Sequence, residues 1–181
     1  MLADAENSQL LILDIQERLA GAMPEADMAQ MLKVSQRLLE AAQLLGIPVL
    51  HTEQYPRGLG PTVQSLASAM NASPAHFEKT SFSCCSATGF TERAKQRQQI
   101  IICGMETHVC VLQTALELHA QGKTVFVVED GVISRDPEHK RNALRRMAAQ
   151  GIIISNNESV LFEWLRDAKH EHFKTLSALL R

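Results

Sequence analysis

The chain has no excess of charge of either sign. Eighteen Lys and Arg stand against twenty Asp and Glu, for a net charge of -2, which gives no electrostatic footprint for a nucleic acid or an anionic membrane. Cysteine is sparse. Cys84, Cys85, Cys103 and Cys110 are the four, too few for a disulfide scaffold. Long apolar runs are missing too: the longest is about five residues, against the roughly 20 needed to span a bilayer. The opening Met1-Leu2-Ala3-Asp4-Ala5-Glu6-Asn7 is acidic and lacks the basic stretch of a secretory signal. These absences lead us to expect a cytoplasmic protein with reduced thiols. Each cysteine is then to be weighed as a reactive thiol, a metal ligand or buried filler.

What is present is an ordinary globular composition, 45% hydrophobic and 21% charged over 181 residues. That length predicts one domain, residues 1–181, at roughly 150 residues per domain. Short apolar runs alternate with amphipathic stretches. Leu10–Leu13, Ile47–Leu50, Ala75–Ser81, Gln99–Cys103, Thr124–Val128 and Gly151–Ser155 read as strands. Met28–Leu45, with Met31, Val34, Leu38, Leu39, Ala42 and Leu45 at three- and four-residue spacing, reads as a helix capped by Gly46. Thr91–Gln98, Glu106–Ala120, Pro137–Ala149, Glu158–Leu165 and His170–Leu180 read as further helices, and Gln54–Pro61, rich in Gly and Pro, as a loop. Strand–helix alternation predicts an α/β fold: a doubly wound, Rossmann-like, mainly parallel sheet of about six strands with helices on both faces.

Ligands of such sheets bind at the carboxyl ends of the strands. Asp14 ends the first strand, Lys79 the third, and Cys110 follows the fourth within a few residues of Gly104. A carboxylate, an amine and a thiol on one edge make a nucleophile with two possible activators. Each has a plainer reading as well: Asp14 as a helix cap, Lys79 as a solvated lysine, Cys110 as a small buried hydrophobe. Placed in the first turns of a helix and near Lys79, Cys110 is expected to have a lowered pKa. Other patterns fail. Cys84-Cys85 lacks the spacing of a zinc knuckle, and Gly58-Leu59-Gly60-Pro61 lacks the third glycine of a dinucleotide loop. There is no Walker A sequence and no H-E-x-x-H, and Asp14-Ile15-Gln16 lacks a second aspartate. His139, His170 and His172 read as solvated.

Three segments carry a resemblance: Leu11-Ile12-Leu13-Asp14-Ile15-Gln16, Phe77-Glu78-Lys79-Thr80-Ser81-Phe82 and Gly104-Met105-Glu106-Thr107-His108-Val109-Cys110-Val111. In order and spacing they resemble the motifs of the isochorismatase-like cysteine hydrolases, which include nicotinamidase and N-carbamoylsarcosine amidohydrolase. Thr52–Thr62 and Ser155–Phe162 are similar to segments of small isochorismatase-domain proteins. The resemblance implies Asp14 as the acceptor of the thiol proton that passes it to the leaving amine, Lys79 as the cation that stabilises the thiolate and holds Asp14 ionised, and Cys110 as a nucleophile forming a thioester-like intermediate. It also implies a non-proline cis peptide at Met105–Glu106, aiming the N–H groups of Glu106 and Cys110 at an oxyanion, and assembly into a homo-oligomer. Where metal-binding relatives carry Asp and His, this chain has Gln54 and Pro56, and His51 lies earlier; no metal and no cofactor are expected. Tyr55, Leu59 and Phe82 are the expected lining of a small-molecule substrate site. The leading function is hydrolysis of a small amide-like or related C–N substrate. The alternatives are a non-catalytic protein that binds a metabolite or a partner, and a thiol redox protein pairing Cys110 with Cys103 or Cys84.

Overall fold

The first strand, β1 (Ser8–Leu13), is buried along its whole length, as expected of a strand covered on both faces. The computed structural model describes residues 1–70 and 75–180. After α1 (Glu17–Ala20) and α2 (Glu25–Leu44) the chain forms β2 (Val49–Gln54), α3 (Pro56–Leu59), α4 (Gln64–Ala67) and β3 (Ala75–Lys79). It continues through α5 (Phe90–Ala94), β4 (Gln99–Met105), a π-helical turn (Thr107–Val111), α6 (Leu112–Ala120) and β5 (Thr124–Ile133). Then come α7 (Pro137–Ala149), β6 (Ile153–Ser155), α8 (Asn157–Leu165) and α9 (Phe173–Ala178). The fold is α/β. Its six strands are ordered β3-β2-β1-β4-β5-β6, and every neighbouring pair is parallel.

Period-two alternation splits the core in two. Leu10 and Ile12 of β1, Ile101 and Cys103 of β4, and Phe126 and Val128 of β5 pack on one face with α2 and α8. Leu11 and Leu13, Ile100 and Ile102, and Val125 and Val127 pack on the other with Phe90 of α5, Leu112 of α6 and Met147 of α7. The strand order reverses between β1 and β4, so the crevice at their carboxyl ends is the switch point where such sheets bind ligands.

Several elements differ from expectation. Gln54–Pro61, expected as a loop, holds the end of β2 and the short α3 opened by Pro56, and the helix expected over His170–Leu180 narrows to Phe173–Ala178. The helix expected over Thr91–Gln98 shrinks to Phe90–Ala94; of the expected stretch only Ala94 is buried. β5 runs through Glu129-Asp130-Gly131, which reads as a stop; the chain bulges there and resumes pairing, Val132 against Gly104 and Ile133 against Met105. A Cβ at Gly131 would meet the Val34, Cys103 and Val128 side chains at 3.0–3.2 Å. The helix expected over Glu106–Ala120 is split, with a π-helical turn before α6.

Candidate active site

β1 and β4 approach closely where they end. Gly104 has φ +132, and a Cβ there would lie 2.0 Å from the Leu13 carbonyl oxygen, so only glycine serves. Just beyond, Asp14 itself adopts φ +54, a left-handed conformation costing a non-glycine residue about 1–2 kcal/mol. Its N–H donates to the Thr52 carbonyl at 3.2 Å and its own carbonyl accepts from Gln16 N–H at 2.9 Å. This turn sends the carboxylate back under the sheet edge instead of into solvent. Lys79, the last residue of β3, is in register with Gln54. Cys110 lies in the π-helical turn after the cis peptide Met105–Glu106.

The Lys79 and Asp14 side chains are fully buried, and Lys79 Nζ donates to Asp14 Oδ2 at 2.6 Å. Gln54 Oε1 accepts from the same ammonium at 2.7 Å, and the carbonyls of Phe82 and Ser81 accept at 3.1 and 3.3 Å. Thr52 Oγ1 donates to Asp14 Oδ1 at 2.7 Å. Gln54 is held in turn: its side-chain amide donates to the Thr80 carbonyl at 2.7 Å and its backbone N–H to Gln16 Oε1 at 2.7 Å. The two charges are therefore ligated on every side, which a buried ion pair requires.

Burial raises the Asp14 carboxyl pKa, against the opposing pull of Lys79. Burial, the largest influence, works to lower the Lys79 ammonium, but the Asp14 charge and hydrogen bond together with the nearby Cys84 and Cys110 outweigh it, and the net shift is upward. The Cys110 thiol corrects the expectation made from the sequence. Burial, and then the Asp14 carboxylate, push it above the ordinary thiol range, and the Lys79 cation does not offset them. Two reasons are structural: Cys110 is only 5% exposed, and it sits in a π-helical turn instead of the first turn of an α-helix. Both burial and the Asp14 carboxylate thus favour the neutral thiol. Such π turns recur at functional sites.

The other expected residues are more dispersed. Tyr55 lies, with Arg57, Lys79, Ser81 and Ser86, in the wall of an open cleft of about 560 Å³; neither Asp14 nor Cys110 lines it. Leu59 and Phe82 do not line it either. Leu59 sits half-buried in α3, and Phe82 exposes its ring at 53% while its carbonyl serves Lys79. Glu106 is buried, its carboxylate held by the Arg135 backbone N–H at 2.9 Å and by Arg135 Nε at 3.1 Å. His139 is exposed; His170 and His172 are half-buried against one another, ring centroids 5.6 Å apart. No group of three His, Cys, Asp or Glu side chains able to hold a metal occurs among the described residues. His51 is engaged with Thr62 Oγ1 at 2.6 Å, Gln54 with Lys79.

Two neighbours of the site escaped the sequence reading. Thr52 was invisible because a threonine inside a strand reads as β-propensity. Arg135 follows β5 beyond the false stop at Gly131. Cys84, dismissed as a zinc ligand and weighed only as a redox partner of Cys110, is buried at the site, its Sγ 3.8 Å from Thr52 Oγ1.

With this geometry described, similarity to known proteins identifies the class. The Isochorismatase domain profile matches residues 8–159. Mouse (Mus musculus) Isochorismatase domain-containing protein 2A is 38% identical over 177 residues, covering 97% of this chain and 84% of that protein. The chain belongs to the isochorismatase family. Among solved structures, a MAR1 ribonuclease from Caenorhabditis elegans superposes with a TM-score of 0.94 at 34% identity, covering 99% of this chain and 92% of that one. YcaC from Pseudomonas aeruginosa, solved with hexane-2,5-diol and covalent acrylamide, superposes with a TM-score of 0.87 at 25% identity, covering 99% and 90%. The fold and the family are those of a hydrolase superfamily.

Proposed function

We propose that this protein is a cysteine hydrolase acting on a small amide-like or related C–N substrate. The observation that carries the reading is the fully buried Lys79–Asp14 pair at 2.6 Å, whose carboxylate also acts on the Cys110 thiol. Asp14 accepts the thiol proton as Cys110 Sγ attacks the substrate carbon, so a free thiolate never accumulates. The raised pKa of Asp14 suits it to that acceptance and to passing the proton on to the leaving amine. Lys79 keeps its proton throughout and balances the charge moving between Asp14 and Cys110. The backbone N–H groups of Glu106 and Cys110 serve the oxyanion, and water resolves the thioester-like intermediate. Tyr55 belongs to the substrate side of this reading, together with Leu59 at the end of α3 and Phe82 in the loop after β3. No metal or cofactor enters any step.

A small substrate is favoured over a polymer because the reactive side chains are buried and the net charge of -2 offers no basic track. A cytoplasmic location and homo-oligomeric assembly belong to the same proposal; native mass measurement tests the second. No helix among the described residues is long and apolar enough to cross a membrane. The deciding experiment is a screen of amides, ureas, carbamates and a short RNA against wild type and Cys110→Ala. Turnover of a C–N compound lost in Cys110→Ala supports the reading. RNA cleavage that survives Cys110→Ala overturns it.

A further inference from the structure

Two thiols, not one, stand at the Asp14–Lys79 pair. Cys84 opens the 3-10 turn Cys84–Ser86 and is fully buried. Its backbone N–H donates to Thr114 Oγ1 at 3.0 Å, and Thr114 lies four residues beyond Cys110, so on its side of the helical segment. Its Sγ lies 3.8 Å from Thr52 Oγ1, the same hydroxyl that donates to Asp14 Oδ1 at 2.7 Å. Cys84 and Cys110 share one face of the sheet with Leu11 and Leu13. Cys103 lies on the other face with Leu10 and Ile12, behind the sheet from Cys110. Cys85 is half-buried and turned toward Ser83, Glu117 and Gln121. Hydrolysis needs Cys110 and gives Cys84 no task.

We propose that Cys84 is the resolving thiol for Cys110, so that a peroxide reversibly closes the site as an internal Cys84–Cys110 disulfide. The proposal rests on Cys110 being the reactive thiol of the hydrolase reading. In the first step Cys110 Sγ attacks one oxygen of hydrogen peroxide. An S–O bond forms, the O–O bond breaks, and the departing hydroxide leaves as water with the thiol proton, relayed by Asp14. Sulfur is oxidised by two electrons and the peroxide reduced by two, leaving a sulfenic acid. In the second step Cys84 Sγ attacks the Cys110 sulfur. The S–S bond forms, the S–O bond breaks, and water leaves with the Cys84 proton. The product holds no free thiol at position 110, and hydrolysis stops until a dithiol restores it.

The test uses the reduced full-length protein and excess hydrogen peroxide, read by intact mass and peptide mapping without any substrate. Wild type is expected to lose about 2 Da, two hydrogens, with a Cys84–Cys110 linked peptide pair that dithiothreitol separates. Labelling of Cys110 by acrylamide disappears with the treatment and returns on reduction. Cys84→Ser and Cys84→Ala are expected to give no link; Cys110 then stops as a sulfenic acid that dimedone captures and proceeds to the irreversible sulfinic acid. Cys103→Ser behaves as wild type. A link from Cys110 to Cys85 or between two chains overturns the proposal, as does direct passage of wild-type Cys110 to sulfinic acid, or no oxidation at all. Because the disulfide is read by mass, its failure is distinct from that of the hydrolase reading, which falls if turnover survives Cys110→Ala.

Discussion

Strand β2 carries two buried polar networks, one on each of its faces, and they solve opposite problems. On one side Thr52 and Gln54 reach the charged pair, Thr52 donating to Asp14 and Gln54 accepting from Lys79. On the other side His51 and Glu53 clamp the loop that follows α3. Thr62 donates to Glu53 Oε1 through both its N–H and its hydroxyl, each at 2.7 Å, and the hydroxyl then accepts from His51 Nε2 at 2.6 Å. His76, next to His51 in register on β3, stacks on it at 4.8 Å and reaches Glu53 Oε2 at 3.3 Å. Four consecutive side chains, all at most 8% exposed, thus alternate between a site that keeps two full charges and a clamp whose central imidazole is neutral. A period of two residues lets one strand do both without mixing them. On the proposed mechanism the first network moves a proton; the second holds a wall.

The comparison is broken most severely at its charged end. Lys79→Met leaves the Asp14 carboxylate buried without its cation. Removing one member of a buried pair costs roughly 3–5 kcal/mol, so a large fall in the denaturant midpoint is expected. Asp14→Leu with Lys79→Met is expected to cost less than the sum of the two single changes, because the double variant leaves neither charge stranded. Lys79→Met should also slow iodoacetamide labelling of Cys110 at neutral pH, since its loss removes the cation opposing the upward push on that thiol. A single variant with unchanged stability would show that the pair contributes nothing to folding.

At the clamp the expected effect is smaller and depends on pH. Burial, and then the adjoining His76, hold the His51 imidazole down to about 4, against 6.5 for a free histidine, while Glu53 pulls weakly the other way. A histidine lowered in the folded state is charged first in the unfolded chain. Its stabilising contribution is therefore whole above pH 6.5 and is lost as pH falls from there through about 4. The most it contributes is about 3 kcal/mol, at roughly 1.4 kcal/mol per tenfold change in proton affinity. Glu53 acts in the same direction. Burial would raise its carboxyl, but the bonds from Thr62 hold it low, so acid costs stability there too. Denaturant midpoints at pH 7.5 and 5 should differ in wild type and differ less in His51→Gln. Equal differences in the two proteins would remove His51 from the account.

Much of this could be read from the residues alone, and what could not has identifiable causes. β1 and β4 were plain because a strand buried on both faces is a continuous apolar run. Asp14 stood out because it directly follows such a run; Lys79 follows the mixed His76-Phe77-Glu78 and gained weight only in combination with Asp14 and Cys110. The extension of β5 was hidden by Glu129-Asp130-Gly131, which serves a turn and a bulge equally well. The π-helical turn around Cys110 differs from an α-helix by one residue per turn, too fine for an apolar pattern to resolve. The direction of the Cys110 shift was missed because a sequence shows which charges are near but not how dry the site is. Cys84 could not be chosen over Cys103 as the thiol nearer Cys110, because the side it presents is decided by three residues of 3-10 turn, and no periodicity extends over three residues.

The finest test exchanges one hydroxyl on each side of β2. Thr52→Val removes the donor to Asp14 Oδ1; Thr62→Val removes the hydroxyl between His51 and Glu53. The two changes are isosteric, and each leaves a buried group without its partner, so each is expected to cost about 1–3 kcal/mol. Stability alone will not tell them apart; chemistry will. The Thr52 hydroxyl stabilises ionised Asp14, so in Thr52→Val the carboxyl titrates higher. The acid limb of Cys110 labelling, which on the proposed mechanism needs Asp14 free to accept the thiol proton, then moves to higher pH. Thr62 touches neither Asp14 nor Lys79 nor Cys110, and Thr62→Val should leave that limb where it is in wild type. Alkylation rates across pH, measured at Cys110 by mass spectrometry, decide the matter. If both variants move the limb equally, the two faces of β2 are coupled and the division of labour drawn between them is wrong. If only Thr52→Val moves it, proton transfer belongs to one face alone and the clamp acts on the site through stability only.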